Sequence, residues 1–138
     1  MSVSFSRCCL FLLFVGNWTI TSGADNIVAV SAPESVAQGS TVSIEVSYVA
    51  SIDRDILIIF QRNSSPWTKF GEERITVSAG SSTLLIPVAI DANTPVASEA
   101  YKFSVSLLPE TFGDWNNRFD EKIQDVVSCV QAPEEGPD

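Results

Sequence analysis

Two short stretches of the sequence bring aromatic rings together with amides, hydroxyls and charges. Ser65-Pro66-Trp67-Thr68-Lys69-Phe70-Gly71 holds two aromatics, and Phe112-Gly113-Asp114-Trp115-Asn116-Asn117-Arg118-Phe119 holds three more. Indole and phenyl faces stack against the apolar C–H faces of sugar rings while neighbouring polar groups take the hydroxyls. Trp67, Phe70 and Trp115, with Tyr101 or Phe112 beside them, are therefore the candidate stacking platforms. The plainer expectation is that the same rings fold inward and plug the ends of the domain.

Catalysis has little to work with. The chain has no histidine, which removes the commonest general base, the usual hydrolase triad and the ordinary zinc ligands together. Phosphate-cradling and dinucleotide-binding glycine motifs are absent, and no cofactor is implied. Carboxylate pairs of the glycosidase kind could be drawn from Asp53 with Asp55 or Asp114 with Asp120, but 17 acidic residues generate such pairs by chance. The expectation is a protein that is not an enzyme. Calcium would take oxygen ligands from Asp91-Ala92-Asn93, Asp53-Arg54-Asp55 or Asp120-Glu121, yet an Asp-x-Asn after a strand reads first as turn chemistry, and no metal site is assigned.

Arg7, the apolar run Cys8 to Val15 and the small residues Thr21-Ser22-Gly23-Ala24 follow the order of a cleavable secretory signal, expected over residues 1–24. The apolar run is far shorter than the roughly 20 residues of a membrane-spanning helix, so a secreted, extracellular product without membrane insertion is expected. Removal of the signal leaves about 114 residues, with 7 basic against 17 acidic, a net charge of about −10. Nucleic acid is a poor partner for such a polyanion, whereas matrix proteins, glycans and mineral surfaces remain open.

Processing also removes Cys8 and Cys9, leaving Cys129 as a solitary thiol. It is expected either buried as a small hydrophobe or joined to a second chain in a disulfide-linked homodimer, burial being the first choice. Asn63-Ser64-Ser65 is a glycosylation sequon in an expected loop, while Asn17-Trp18-Thr19 lies in the signal. A glycan on Asn63 would crowd Trp67.

These groups need elements to hold them. Apolar and polar residues alternate with period two in Ile27 to Ser31, Thr41 to Val49, Arg74 to Ser78, Thr83 to Ile90, Tyr101 to Leu107 and Ile123 to Val130. Asp55 to Gln61 is almost continuously apolar, as an interior strand covered on both faces would be. Ala79-Gly80-Ser81 marks a hairpin turn, and Pro87 points to a sheet edge or bulge. About seven strands of this kind predict an all-β fold, a single antiparallel sandwich of immunoglobulin-like or fibronectin-III-like type over residues 25–131, with a disordered acidic tail over 132–138.

The words Arg54-Asp55-Ile56, Trp67 with Phe70-Gly71, Val77-Ser78-Ala79-Gly80-Ser81, and Ala100-Tyr101-Lys102-Phe103 followed by Pro109 and Trp115 look like those of small accessory β-sandwich domains attached to secreted polysaccharide-degrading enzymes. The resemblance runs from about Ile27 to Val130 and implies a non-catalytic β-sandwich. In composition the chain also resembles small acidic proteins of extracellular and biomineral matrices. Two functions are therefore carried forward. The first is a secreted structural or interaction protein of an extracellular matrix, mineralised or not. The second is a secreted carbohydrate-binding module using loop aromatics.

Overall fold

The computed structural model describes residues 25–109 and 114–133. The expected signal, the candidate ring Phe112 and most of the expected acidic tail lie outside the described residues. Eight strands are described: β1 (Asn26–Ser31), β2 (Ser35–Ala37), β3 (Thr41–Ala50), β4 (Arg54–Arg62), β5 (Lys69–Val77), β6 (Gly80–Ala89), β7 (Ala97–Leu107) and β8 (Asp120–Val130). They form two sheets, one ordered β1-β3-β6 and the other β2-β8-β7-β4-β5. The expected all-β sandwich is present. Its pairs are antiparallel except for the short β2, which runs parallel to β8 from Ser35↔Ser128 to Ala37↔Val130. Three residues of mixed burial are too few to show a period, which is why β2 is silent in the sequence.

Alternation decides which side chains meet between the sheets. Ile44, Val46 and Tyr48 of β3, Ile86 and Val88 of β6, Ile56, Ile58 and Phe60 of β4, and Tyr101, Phe103, Val105 and Leu107 of β7 make the core. The opposite parity of β4 and β7 therefore builds the outer face of the larger sheet, in the cross-strand rows Gln61↔Lys102, Ile59↔Ser104 and Leu57↔Ser106. Part of that face is itself covered, since Leu57, Ser104 and Ser106 are buried. The cover is the β7–β8 connection, whose Trp115 donates its indole N–H to Ser106 Oγ at 3.2 Å.

Pro87 sits opposite Ser43 in β6, which pairs with β3 alone and is thus an edge, where a missing N–H leaves no ladder bond unmade. At Phe60/Gln61 the β4–β5 register slips: Gly71 faces Phe60 and Lys69 faces Gln61, so Phe70 is the extra residue of a bulge. Glycine at 71 has a specific cause. A Cβ there would lie 2.8 Å from Ala89 O, where β5 presses against the end of β6.

One end of the sandwich is closed by a buried ion pair. Arg54 bonds Asp25, and its guanidinium also donates to Pro109 O and, at 3.2 Å, to Ser51 Oγ. Asp25 accepts from Ser51 N at 2.8 Å and from Ser51 Oγ at 2.9 Å. Phe119 lies across the guanidinium, with Cζ 4.2 Å from the ring centroid. The clamp joins the start of β1 to the β3–β4 and β7–β8 connections, and hence one sheet to the other.

Candidate functional site

Trp67 belongs to the β4–β5 connection, which closes on itself through Arg62 N to Thr68 O at 2.9 Å and Trp67 N to Ser64 O at 2.8 Å. The Ser65–Pro66 peptide is cis, and Trp67 has a φ of 61°. A bulky L-residue in the left-handed region carries roughly 1–2 kcal/mol of backbone cost, so the loop holds this indole in place against local preference. Trp67 as a residue is 50% exposed.

Trp115 opens a single 3₁₀ turn, Trp115–Asn117, on the β7–β8 connection. Asp114 caps it, accepting from Asn116 N at 3.1 Å on Oδ1 and from Asn117 N at 3.0 Å on its backbone oxygen. The bond from the indole N–H to Ser106 pins the ring on the outer face of the sheet, where it remains 37% exposed.

The two indoles border one cavity of about 370 Å³. Ile59 and Gln61 of β4, Lys102 and Ser104 of β7 and Glu121 of β8 complete its lining. That volume lies in the range of small-ligand clefts, and the mixture of aromatic walls, aliphatic floor and a few polar groups is the composition such clefts share. Each indole carries a cation: Lys102 Nζ is 4.9 Å from the Trp67 centroid, and Arg118 Cζ is 3.7 Å from that of Trp115. Arg118 also donates through Nε to Glu121 Oε1 at 3.1 Å, and Glu121 Oε2 is hydrogen-bonded to the Ser104 hydroxyl. Chemically, the groove offers two indoles, one face of each carrying a cation, with an ammonium, an amide and a hydroxyl between them.

A larger depression, of about 530 Å³, lies beside β8 and is lined by Glu34, Glu99, Lys122, Gln124 and Asp125 with aliphatic neighbours. It has no aromatic wall, and the Trp67–Trp115 groove is the better ligand site on chemistry.

The other expected site residues are dispersed. Phe70 is turned inward by the bulge and half-buried, edge-on to Tyr101 with centroids 5.9 Å apart. Tyr101 is 0% exposed, stacked on Phe60 at 5.1 Å, its hydroxyl donating to Pro95 O. The two rings expected beside Trp67 thus belong to the core, because the parity of β7 and the bulge in β5 point them between the sheets. Asn63 is not a free loop residue. Its Nδ2 donates to Glu99 O at 3.3 Å and Asp125 O at 2.8 Å, so a glycan on that nitrogen would replace one of these bonds. Cys129 is 1% exposed in the core, and a disulfide to another chain would require the end of β8 to open.

The candidate acids have structural partners. Asp55 is buried against Arg74 Nε at 2.6 Å and Thr76 Oγ1 at 2.7 Å. Asp120 Oδ2 accepts from Ile27 N at 2.9 Å, joining the two sheets, and Asp91 Oδ1 accepts from Asn93 N at 2.8 Å in a local turn. Lys102, Ser104, Ile59 and Gln61 were not singled out from sequence as site residues, and Glu121 was named only as a candidate calcium ligand. The first four sit at outward positions of β4 and β7, a signal that alternation carries but that does not distinguish a binding face from a solvated one.

Burial raises the pKa of both core acids, Tyr101 by desolvation against a smaller opposing effect of Arg62, and Cys129 by desolvation. A raised folded-state pKa means that the native protein keeps its proton after the unfolded chain has lost it. Stability from these groups is thus complete below the ordinary thiol value of about 8.5 and declines as pH rises past it, more steeply past the ordinary phenol value of about 10. Urea midpoints should hold up to about pH 8 and fall from there, and Cys129→Ala should delay the onset toward the phenol range. A flat profile to pH 11, about one unit past the phenol value, would contradict this.

Residues 27–121 match the family model of the Porphyranase-associated domain, a span that includes both indoles and every residue lining the groove between them. No curated protein matches the chain. No helix among the described residues is long and apolar enough to cross a membrane.

Proposed function

This chain belongs to the Porphyranase-associated domain family, and from that premise we propose that it is a secreted, non-catalytic accessory module that binds polysaccharide in the groove between Trp67 and Trp115. The observation that carries the proposal is the pair of half-exposed indoles over a single cavity on the outer face of β4, β7 and β8. Flat apolar walls at both sides and polar groups on the floor fit a sugar chain lying across the sheet. Export follows from the signal pattern of residues 1–24, with residues 25–131 as the folded module and an acidic tail beyond. The strand order, three strands packed on five with β6 and β5 at the edges, supports a fibronectin-III-like arrangement.

A role in an extracellular or mineralised matrix draws on overall composition, the export signal and a candidate Cys129-linked dimer, and no feature of the groove favours it. A glycan on Asn63 and a Cys129-linked homodimer also belong to proposal. Burial of the Cys129 thiol supports a monomer, and non-reducing electrophoresis decides that point.

Affinity electrophoresis through gels containing soluble polysaccharides, porphyranase substrates included, tests the groove. The protein should be retarded by at least one polymer, and Trp67→Gly and Trp115→Ala should each weaken binding about ten-fold or more. Glycine accepts a φ of 61° without cost, so the thermal midpoint of Trp67→Gly should stay unchanged or rise, separating lost binding from lost fold. Undiminished binding by both variants, or no retardation by any polymer, would overturn the reading.

A further inference from the structure

The groove of this strongly acidic protein is lined by one cation without a carboxylate partner among the described residues. Of the cations in the described residues, Arg54 is paired with Asp25, Arg74 with Asp55, Lys69 with Glu72 and Arg118 with Glu121. Arg62 lies 5.5 Å over the Tyr101 ring, and Lys122 faces the other depression. Lys102 forms no salt bridge among the described residues. It is half-buried, lines the groove and rests its ammonium on the face of Trp67.

The only other charged side chain lining the groove is Glu121, and both of its oxygens are engaged, by Arg118 and by Ser104. An anion entering between the indoles would therefore meet an unpaired ammonium and a carboxylate already neutralised. Glu72, opposite Ile59 on the same face, is itself paired with Lys69, and ionic screening over about 8 Å at physiological salt weakens the effect of acids farther away. Ser104 and Gln61 flank Lys102 on the same face, since Gln61 pairs with Lys102 and Ser104 follows two positions on.

Resting on the polysaccharide-binding reading above, we infer that the groove recognises a glycan bearing anionic substituents, sulfate or carboxylate, with Lys102 as the residue that reads the charge while Trp67 and Trp115 hold the sugar faces. The indoles supply affinity for any ring of suitable shape. Lys102 supplies discrimination, because a neutral sugar leaves its ammonium without a counter-charge in a partly dehydrated site.

The test compares laminarin, xylan and agarose with their sulfated and carboxymethylated derivatives, using the full chain and its Lys102→Gln and Lys102→Arg variants. The wild type should bind a derivative about ten- to a hundred-fold more tightly than its parent polymer, as a charge-assisted hydrogen bond allows. That advantage should shrink as salt is raised from about 50 to 500 mM. Lys102→Gln should bind derivative and parent polymer equally, whereas Lys102→Arg should retain the advantage; whichever derivative keeps the advantage identifies sulfate or carboxylate. Equal binding of derivative and parent, or an advantage that survives Lys102→Gln, overturns the assignment of Lys102 while leaving a groove that still depends on Trp67 and Trp115. Absence of binding to every polymer overturns both readings.

Discussion

Asp25→Ala should destabilise the domain by about 3–5 kcal/mol, because it strips the counter-charge from an almost wholly buried guanidinium. Both side chains of the pair are only 6% exposed. Arg54 would keep Pro109 O and the Ser51 hydroxyl as acceptors, but Nε is buried without a partner even in the intact protein, so little spare hydrogen bonding exists to absorb the loss. A shift of this size lowers the thermal midpoint by about 15 °C or more in a domain of about 100 residues. The double variant Asp25→Leu with Arg54→Met should recover much of that stability, since removing both charges spares their desolvation. Urea unfolding of the three proteins measures the effect, and a single variant within about 1 kcal/mol of wild type would show the clamp to be dispensable.

Phe60→Ala should be similarly severe, at about 3–5 kcal/mol, for an unrelated reason. Phe60 is fully buried at the middle of an aromatic group, 5.1 Å from Tyr101 and 5.0 Å from Phe103 between ring centroids. These neighbours come from a strand bonded to β4 along its length, from Ile56↔Leu107 to Arg62↔Tyr101, and cannot close over the space left behind. The cavity cost therefore adds to the lost transfer energy. Phe60→Leu keeps most of the volume and should cost less than half as much, and equal losses from the two variants would mean that aromatic stacking, not filled volume, dominates. Since the outer face of β4 carries the groove floor, the alanine variant should also weaken glycan binding wherever it loosens Ile59 and Gln61.

The fold was largely legible because its strongest signal is local. Thr41 to Val49 and Tyr101 to Leu107 alternate so cleanly that side-chain parity alone assigns Ile44, Val46, Phe103 and Val105 to the core. What escaped are features set by partners distant in sequence. β2 exists because Ser35–Ala37 finds an open edge on β8, some 90 residues later. Phe70 reads as a loop aromatic, and only a register slip against β4 turns it inward.

The site was legible in half. Trp67 and Trp115 announce themselves by residue type, yet nothing in the sequence brings residues 67 and 115 to opposite sides of one sheet face. Their cations were missed for the same reason. Lys102 reads as an ordinary outward position of β7, and its meaning depends on which loop folds over it. The extracellular-matrix reading grew from acidity, a property of the whole surface. Membership of a family named for its association with a polysaccharide-degrading enzyme directs attention instead to the groove between the two indoles.

The two indoles are carried by connections, while everything between them is carried by strands. Bonded rows of β4 and β7 act as a fixed baseline, and the β4–β5 and β7–β8 connections behave as the jaws of a caliper standing on it. Insertions or deletions within residues 64–67 or 114–117 would reset the jaw spacing, and with it the width of the groove, while leaving the paired rows of β4 and β7 in place. A lineage could thus reshape the groove while keeping its scaffold, and an engineer could do the same.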